Sequence, residues 1–288
     1  TLPIATKPDV DNSTNRVEDA SIIQLGNNRL LLQSIDQIRS FTNDPWLFAK
    51  IATNHCLSDI YAMGAQPHSA LAVIGLPHAS KAHMRRQLKE VMLGCAETLI
   101  ENDCALIGGH SSESSELQFG LSVNGFAMGS VLGKNGMAVG DRLILSKALG
   151  TGTLLAADMR FKARHQWIKS AFASMLISNK AASQALVANG ATACTDITGF
   201  GLAGHLLEMM ESSNAEVEIE LAALPLLPGT VDCLKAGIFS SLHKENALVT
   251  ENISLTKSQR LNPLLQSLFD PQTSGGLLGC VPEPQVEG

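Results

Sequence analysis

Asp19, Asp36, Asp59 and Asp196 fall where the sequence reads as the ends of strands or helices. Carboxylates at such ends can share one cleft without burying an unpaired charge. Mg²⁺ takes hard oxygen ligands of this kind together with phosphate oxygens and water. The same residues also read as helix caps or solvated turn residues. Asp59 is the most informative. It lies in Asn54-His55-Cys56-Leu57-Ser58-Asp59-Ile60-Tyr61-Ala62-Met63-Gly64, inside a helical pattern and between apolar neighbours. Asp is a poor helix former, and a partly buried one needs a partner. A metal ion is one candidate; His55, one turn earlier, is the other.

Asp196 sits in Thr195-Asp196-Ile197-Thr198-Gly199-Phe200-Gly201-Leu202-Ala203-Gly204-His205. A strand, an acid, then glycines opening a helix is a layout that suits an anion: glycine lets backbone N–H groups approach, and the helix N-terminus favours negative charge. A plain strand-to-helix turn capped by Asp196 or Thr198 has the same pattern. Gly108-Gly109-His110-Ser111 ends a short apolar run in a similar way, as a phosphate-contacting segment or a simple glycine turn. Lys147 reads as a point charge for a phosphate or as a solvated lysine. Asp270-Pro271-Gln272-Thr273-Ser274-Gly275-Gly276 is a tight turn or a backbone nest, and neither a Walker loop nor G-x-G-x-x-G. His68, His78, His83, His165 and His243 lack metal-ligand spacing. No G-x-S-x-G is present to support a serine hydrolase.

The elements that must position these residues follow from local signals. Residues 20–25 and 29–35 read as strands around a Gly26-Asn27-Asn28 turn. Asp44 caps and Pro45 opens a helix that Gly64 ends. A strand over 67–76, a helix over 81–101, a short buried strand over 104–107 and a long strand over 119–128 come next. The glycine-rich stretch 133–140 separates an N-terminal domain, 1–135, from a C-terminal one, 136–288. In the latter, strands are expected at 142–145, 191–194 and 217–219. Helices are expected at 153–157, 166–177, 180–188, 201–210 and 258–269. Alternating strands and helices argue for layered α/β or α+β architecture.

The bulk composition excludes several classes. The 288 residues carry 21 Lys and Arg against 27 Asp and Glu, a net charge of −6. No basic stripe is present, which argues against nucleic acid as a partner. An acidic chain still binds a nucleotide when divalent cations stand between carboxylates and phosphates. No apolar run approaches a membrane span. The six cysteines form no C-x-x-C pair; they read as small buried hydrophobes in a reducing cytoplasm.

Six segments in one order, spanning about residues 16 to 280, resemble the selenophosphate synthetases (selenide, water dikinases) of the aminoimidazole-ribonucleotide-synthetase-like superfamily. They are Glu18-Asp19-Ala20, the strand carrying Asp36, the helix from Asp44-Pro45 through Met63-Gly64, Gly108 to Ser111, Thr195 to Leu202, and Asp270 to Leu278. The resemblance implies an α+β fold. Its N-terminal sandwich-type domain pairs sheets in a cytoplasmic homodimer, and an α/β domain follows. It implies a phosphotransferase that makes selenophosphate, AMP and phosphate from ATP, selenide and water, with Mg²⁺ and a potassium requirement. It places Mg²⁺ on Asp19, Asp59 and Asp196, and the nucleotide on Arg16, Val17, Glu18, Asp36, Asp59, Gly108, Gly109 and His110. The family also presents a mobile Cys–Lys loop near its start, which nothing in 1–15 matches, and continues past the last motif. The expectation is therefore a chain whose ends are trimmed or not included, or one fused to or cut from an upstream domain that carries the loop, its C-terminal domain shortened. The competing readings are a superfamily relative such as a thiamine-monophosphate kinase, and an inactive nucleotide-binding module without that loop.

Overall fold

The computed structural model describes residues 7–11 and 18–283; Arg16 and Val17 lie outside them. The architecture is α+β, in two compact units. One comprises Thr1–Gly133 with Ser178–Ala188, the other Lys134–Ile177 with Asn189–Gly288. A helix from the C-terminal half of the sequence thus belongs to the first unit.

The first unit is built on a six-stranded sheet of order β1-β2-β3-β6-β4-β5. Its strands are β1 (Val10–Asp11), β2 (Ser21–Gly26), β3 (Arg29–Arg39), β4 (Gln66–Pro77), β5 (Ala105–Ser114) and β6 (Gln118–Met128). Asn27 and Asn28 both have left-handed φ, 51° and 59°, as a two-residue hairpin turn between right-twisted strands requires. Helix α1 (Pro45–Ala62) starts where the Asp44 carboxylate accepts from the Trp46 and Leu47 N–H groups, both at 3.0 Å. Ser80 caps α2 (Lys81–Glu101) in the same manner. This helix joins β4 to β5, which run parallel, as a crossover connection requires. Phe48, Leu57, Ile60 and Tyr61 of α1 meet Leu32, Ala70, Phe119 and Leu121 of the sheet in one core.

The structure differs from two expectations here. Asp36 lies inside β3, paired with Leu121, and not at the strand's end. Gly108 to Ser111 is no turn: β5 continues through it after a register shift at Ile107, and the segment expected to be a short buried strand is a long, exposed edge. Alternation and apolar content register the neighbours a strand prefers, but not whether those neighbours exist.

The second unit carries a three-stranded sheet, β7 (Asp141–Leu145), β9 (Leu277–Pro282) and β8 (Ala193–Asp196), in that order. The central strand, β9, is fully apolar along its length, and only the tertiary structure exposes its place. Helices α3 (Thr151–Met159), α4 (His165–Met175), α6 (Gly201–Ser213) and α7 (Thr230–Lys235) accompany the sheet, while α5 (Lys180–Ala188) belongs to the first unit. The expected strand at 217–219 is extended, with Val217 and Ile219 turned to the core and Glu216, Glu218 and Glu220 outward, but it joins no sheet. The expected helix over 258–269 breaks into a helical turn and a 3₁₀ segment starting at Pro263, because proline lacks the N–H that would continue it.

Candidate functional site

In the first unit, Asp59 lies in the C-terminal half of α1 and Asp36 beside it. Asp59 is half-buried, in a run whose other polar members, Thr53, Asn54, His55 and Ser58, are all buried. Cys56, one turn earlier, is wholly buried and its thiol donates to the Asp36 carbonyl at 3.5 Å. Burial first, then the charges of Asp36 and Asp59, push that thiol well above its ordinary range. The two acids therefore flank one buried thiol, which is inert as a nucleophile. Asp19 precedes Ala20, whose N–H donates to Met63 Sδ at 3.3 Å, one turn beyond Asp59. Asp36 and Asp59 thus share the surroundings of Cys56, and Asp19, with Glu18 before it, adjoins in sequence a residue bonded to the end of α1.

The sheet places the glycines relative to these acids. Pairing registers put Asp36, Leu121, Ala72 and Gly109 in one row across β3, β6, β4 and β5. Three strand spacings separate the ends of the row by about 14 Å. Partners in a row share a face, so Gly109 lies on the face of Asp36, and alternation assigns His110 to the other. A side chain at Gly109 would put its Cβ 2.2 Å from the Ala72 carbonyl oxygen; the glycine is required for strand approach whatever else it touches. An open groove of about 440 Å³ runs along this part of β5 against Leu88 and Met92 of α2.

In the second unit, Asp196 is the last residue of β8 and is buried. Lys147 stands near it. Its Nζ donates to the Ile177 carbonyl at 2.6 Å and the Ser274 carbonyl at 2.9 Å. Burial lowers the ammonium to about 8 and the charge of Asp196 opposes that. With 8% exposure, Lys147 is an internal tie and not a solvated lysine reaching for phosphate.

The stretch after Asp196 is clamped. Ile197 donates its N–H to the Gly276 carbonyl, the Thr198 carbonyl accepts from Gln272, and Asn246 Nδ2 donates to the Gly199 carbonyl. The Thr198 N–H goes to His205 Nε2 at 3.1 Å, so it is not available to an anion.

The turn at 270–276 turns out to be a cap supplied from a distance. Gln272 Oε1 accepts from the Gly150 and Thr151 N–H groups and the Thr151 hydroxyl. The buried Asp270 carboxyl accepts from the Thr153 hydroxyl at 2.7 Å. Together they satisfy the start of α3, which has no cap of its own. Asp270 and Gln272 carry no spacing signal for this role, since the helix they cap is remote in sequence, and none marks the return of His205 to Thr198.

The chemistry of the donor set suits Mg²⁺. Among the described residues no three His, Cys, Asp or Glu side chains form a ready-made cage. Mg²⁺ does not need one, because it commonly binds one or two carboxylates and completes its shell with phosphate and water.

Family models cover both halves of the chain: AIR synthase related protein, N-terminal domain, over residues 17–131, and AIR synthase related protein, C-terminal domain, over 138–287. A selenide, water dikinase of Nitratidesulfovibrio vulgaris (strain DP4) is 35% identical over 276 residues, covering 94% of this chain and 77% of that protein. One of Bdellovibrio bacteriovorus is 37% identical over 265 residues, covering 91% and 75%. Among solved structures, thiamine monophosphate kinase from Aquifex aeolicus superposes with a TM-score of 0.69 at 19% identity, covering 93% of this chain and 84% of that one. Hydrogenase maturation protein HypE in complex with ATP superposes with a TM-score of 0.64 at 15% identity, covering 96% and 75%. These last two likenesses concern the fold.

Proposed function

Since the chain belongs to the AIR synthase related family and, within it, to the selenide, water dikinases, we propose that it transfers phosphoryl groups from ATP, yielding selenophosphate, AMP and phosphate from ATP, selenide and water. The observation that carries this reading is the match to selenide, water dikinases over more than nine-tenths of the chain, through both domains.

Asp19 and Asp59 of the first unit and Asp196 of the second are the carboxylates assigned to Mg²⁺. Arg16, Val17, Glu18, Asp36 and Gly108 to His110 are assigned to the nucleotide, with potassium as a further requirement. When bound, Mg²⁺ supplies neutralisation of the triphosphate charge. The protein's own part is to hold hard oxygens at fixed positions: Asp59 by the packed helix α1, Asp196 by the clamped loop behind β8. The half-burial of Asp59 and the burial of Asp196 support these assignments, because the packing around them holds each carboxylate in one place.

The open sheet face supports a homodimer built by sheet pairing. Ile35 and Leu71 project from it at 69% and 41% exposure, and β5 leaves Ile107 exposed at its edge. Pairing would cover these and the unpaired edge that isolated sheets must protect. Six buried cysteines, none of them in a disulfide, support a reducing compartment, the cytoplasm. No helix among the described residues is long and apolar enough to cross a membrane.

The test is product analysis with selenide under reducing, anaerobic conditions, alongside Mg²⁺–ATP binding by calorimetry. AMP and phosphate formed only with selenide fit the proposal; ADP as product would move the chain to a kinase of the thiamine-monophosphate type. Asp59→Asn is expected to abolish Mg²⁺–ATP binding while thermal unfolding stays close to wild type. Unchanged binding would remove Asp59 from the metal site.

A further inference from the structure

Helix α6 opens at Gly201 without a side-chain cap from its own N-terminal residue, Phe200. His205 lies one turn into it, and helical side chains lean back toward the N-terminus. Its ring accordingly returns to the loop before the helix. Nε2 stands 3.1 Å from the Thr198 backbone nitrogen and 3.2 Å from the Thr198 hydroxyl. A backbone N–H only donates, so Nε2 is an acceptor and the ring proton resides on Nδ1. Nδ1 faces Glu208 at 3.9 Å, but that carboxylate is engaged by the buried Lys134 at 2.7 Å. Phe200 covers the ring, with centroids 5.5 Å apart. Burial, aided by the Lys134 charge, lowers the imidazole to about 3, so the acceptor persists through the neutral range.

The loop thus held leads directly out of Asp196. Its other anchors bond Ile197, the Thr198 carbonyl and the Gly199 carbonyl. His205 is the anchor on the Thr198 N–H, two residues from the carboxylate, and the one that returns from the helix the loop opens.

We infer that His205 is a positioning residue: through its bonds to Thr198 it fixes the course of the chain leaving β8, and with it the direction of the Asp196 carboxylate toward a nucleotide-bound divalent cation. The second half of this role rests on the assignment of Asp196 to Mg²⁺; the first half does not. Residues that orient a ligand from behind act on metal affinity by roughly 10- to 100-fold when removed.

The experiment compares wild type, His205→Leu and His205→Gln in the full chain. Leu fills the space without an acceptor, and Gln restores an oxygen near the Nε2 position. Amide exchange of the peptide covering 197–200 is read without ligand. It should be protected in wild type, accelerated in His205→Leu and protected again in His205→Gln. Mg²⁺–ATP affinity by calorimetry should fall by about tenfold or more in His205→Leu and recover in His205→Gln, with far-UV circular dichroism unchanged. Equal exchange and equal affinity in the Leu and wild-type proteins would overturn the inference. So would an affinity loss that Gln does not rescue despite a restored loop, since the ring would then act by another route. If His205→Leu does not fold, unprotected 197–200 amides in a folded Gln variant would overturn it as well. A wild-type chain that binds no Mg²⁺–ATP but shows the exchange pattern would sink the functional reading and leave the loop role standing.

Discussion

The groups that bond the Asp270 carboxyl are all donors: the Thr153 hydroxyl, the Gln272 amide and the backbone N–H groups of Gly152 and Thr153. Those donors favour the carboxylate, while burial favours the acid and pushes it up to about 7. Asp270→Asn would turn an amide NH₂ toward other donors. It should cost about 1–3 kcal/mol, read from urea denaturation at pH 7 as a lower midpoint. A carboxyl raised in the folded state binds protons there that the unfolded chain has lost, so its stabilising contribution fades as pH rises from about 4 to about 7. His205 has the opposite sign. Lowered from 6.5 to about 3, it stays neutral where the unfolded chain takes up a proton, and its contribution is lost as pH falls through that window. The unfolding free energy of wild type should therefore fall relative to that of His205→Gln as pH falls from 6.5 toward 4. Parallel curves would mean the imidazole is not buried as the structure places it.

At the scale of elements, glycine on β5 and polar residues on α1 do structural work that their types alone do not disclose. Gly109→Ala would drive a methyl into the Ala72 carbonyl. Overpacking of this kind costs about 1–3 kcal/mol, expected as a lower melting temperature and faster exchange of β4–β5 amides. Normal stability in Gly109→Ala would show that the two strands separate without penalty. Helix α1 owes its buried polar face to α5 and the end of α2. Asn179 Nδ2 donates to Ser58 Oγ at 2.8 Å, the Ser183 hydroxyl to the Tyr61 carbonyl at 2.6 Å, and the Tyr61 hydroxyl to Asn102 Oδ1 at 2.9 Å. This seam gives Ser58 and Tyr61 partners within the fold. It also accounts for why a helix with hardly any apolar face preference leaves none of its residues exposed: the sheet takes one side and other helices the rest.

At the scale of the molecule, each unit has its own core, one centred on Phe48, Tyr61 and Phe119, the other on Leu149, Met209 and Phe269. The uncovered side of the first sheet is where self-association is expected. Ile35→Glu with Leu71→Glu places charges on that face and should shift sedimentation from dimer to monomer at micromolar concentration. A variant that remains dimeric would place the interface elsewhere. What the sequence determined by itself is the set of features settled within a turn or two of chain: the Asp44-Pro45 start of α1, the asparagine hairpin, the limits of α2, the order of the motifs and the family they resemble. What only the tertiary structure decided is who meets whom: Asp36 mid-strand beside Cys56, β5 bare at an edge, α5 with the first unit, Gln272 and Asp270 capping a helix some 120 residues away. Caps, turns and periodicity act over a few residues, whereas burial and pairing are set by surfaces that come together only once both elements exist.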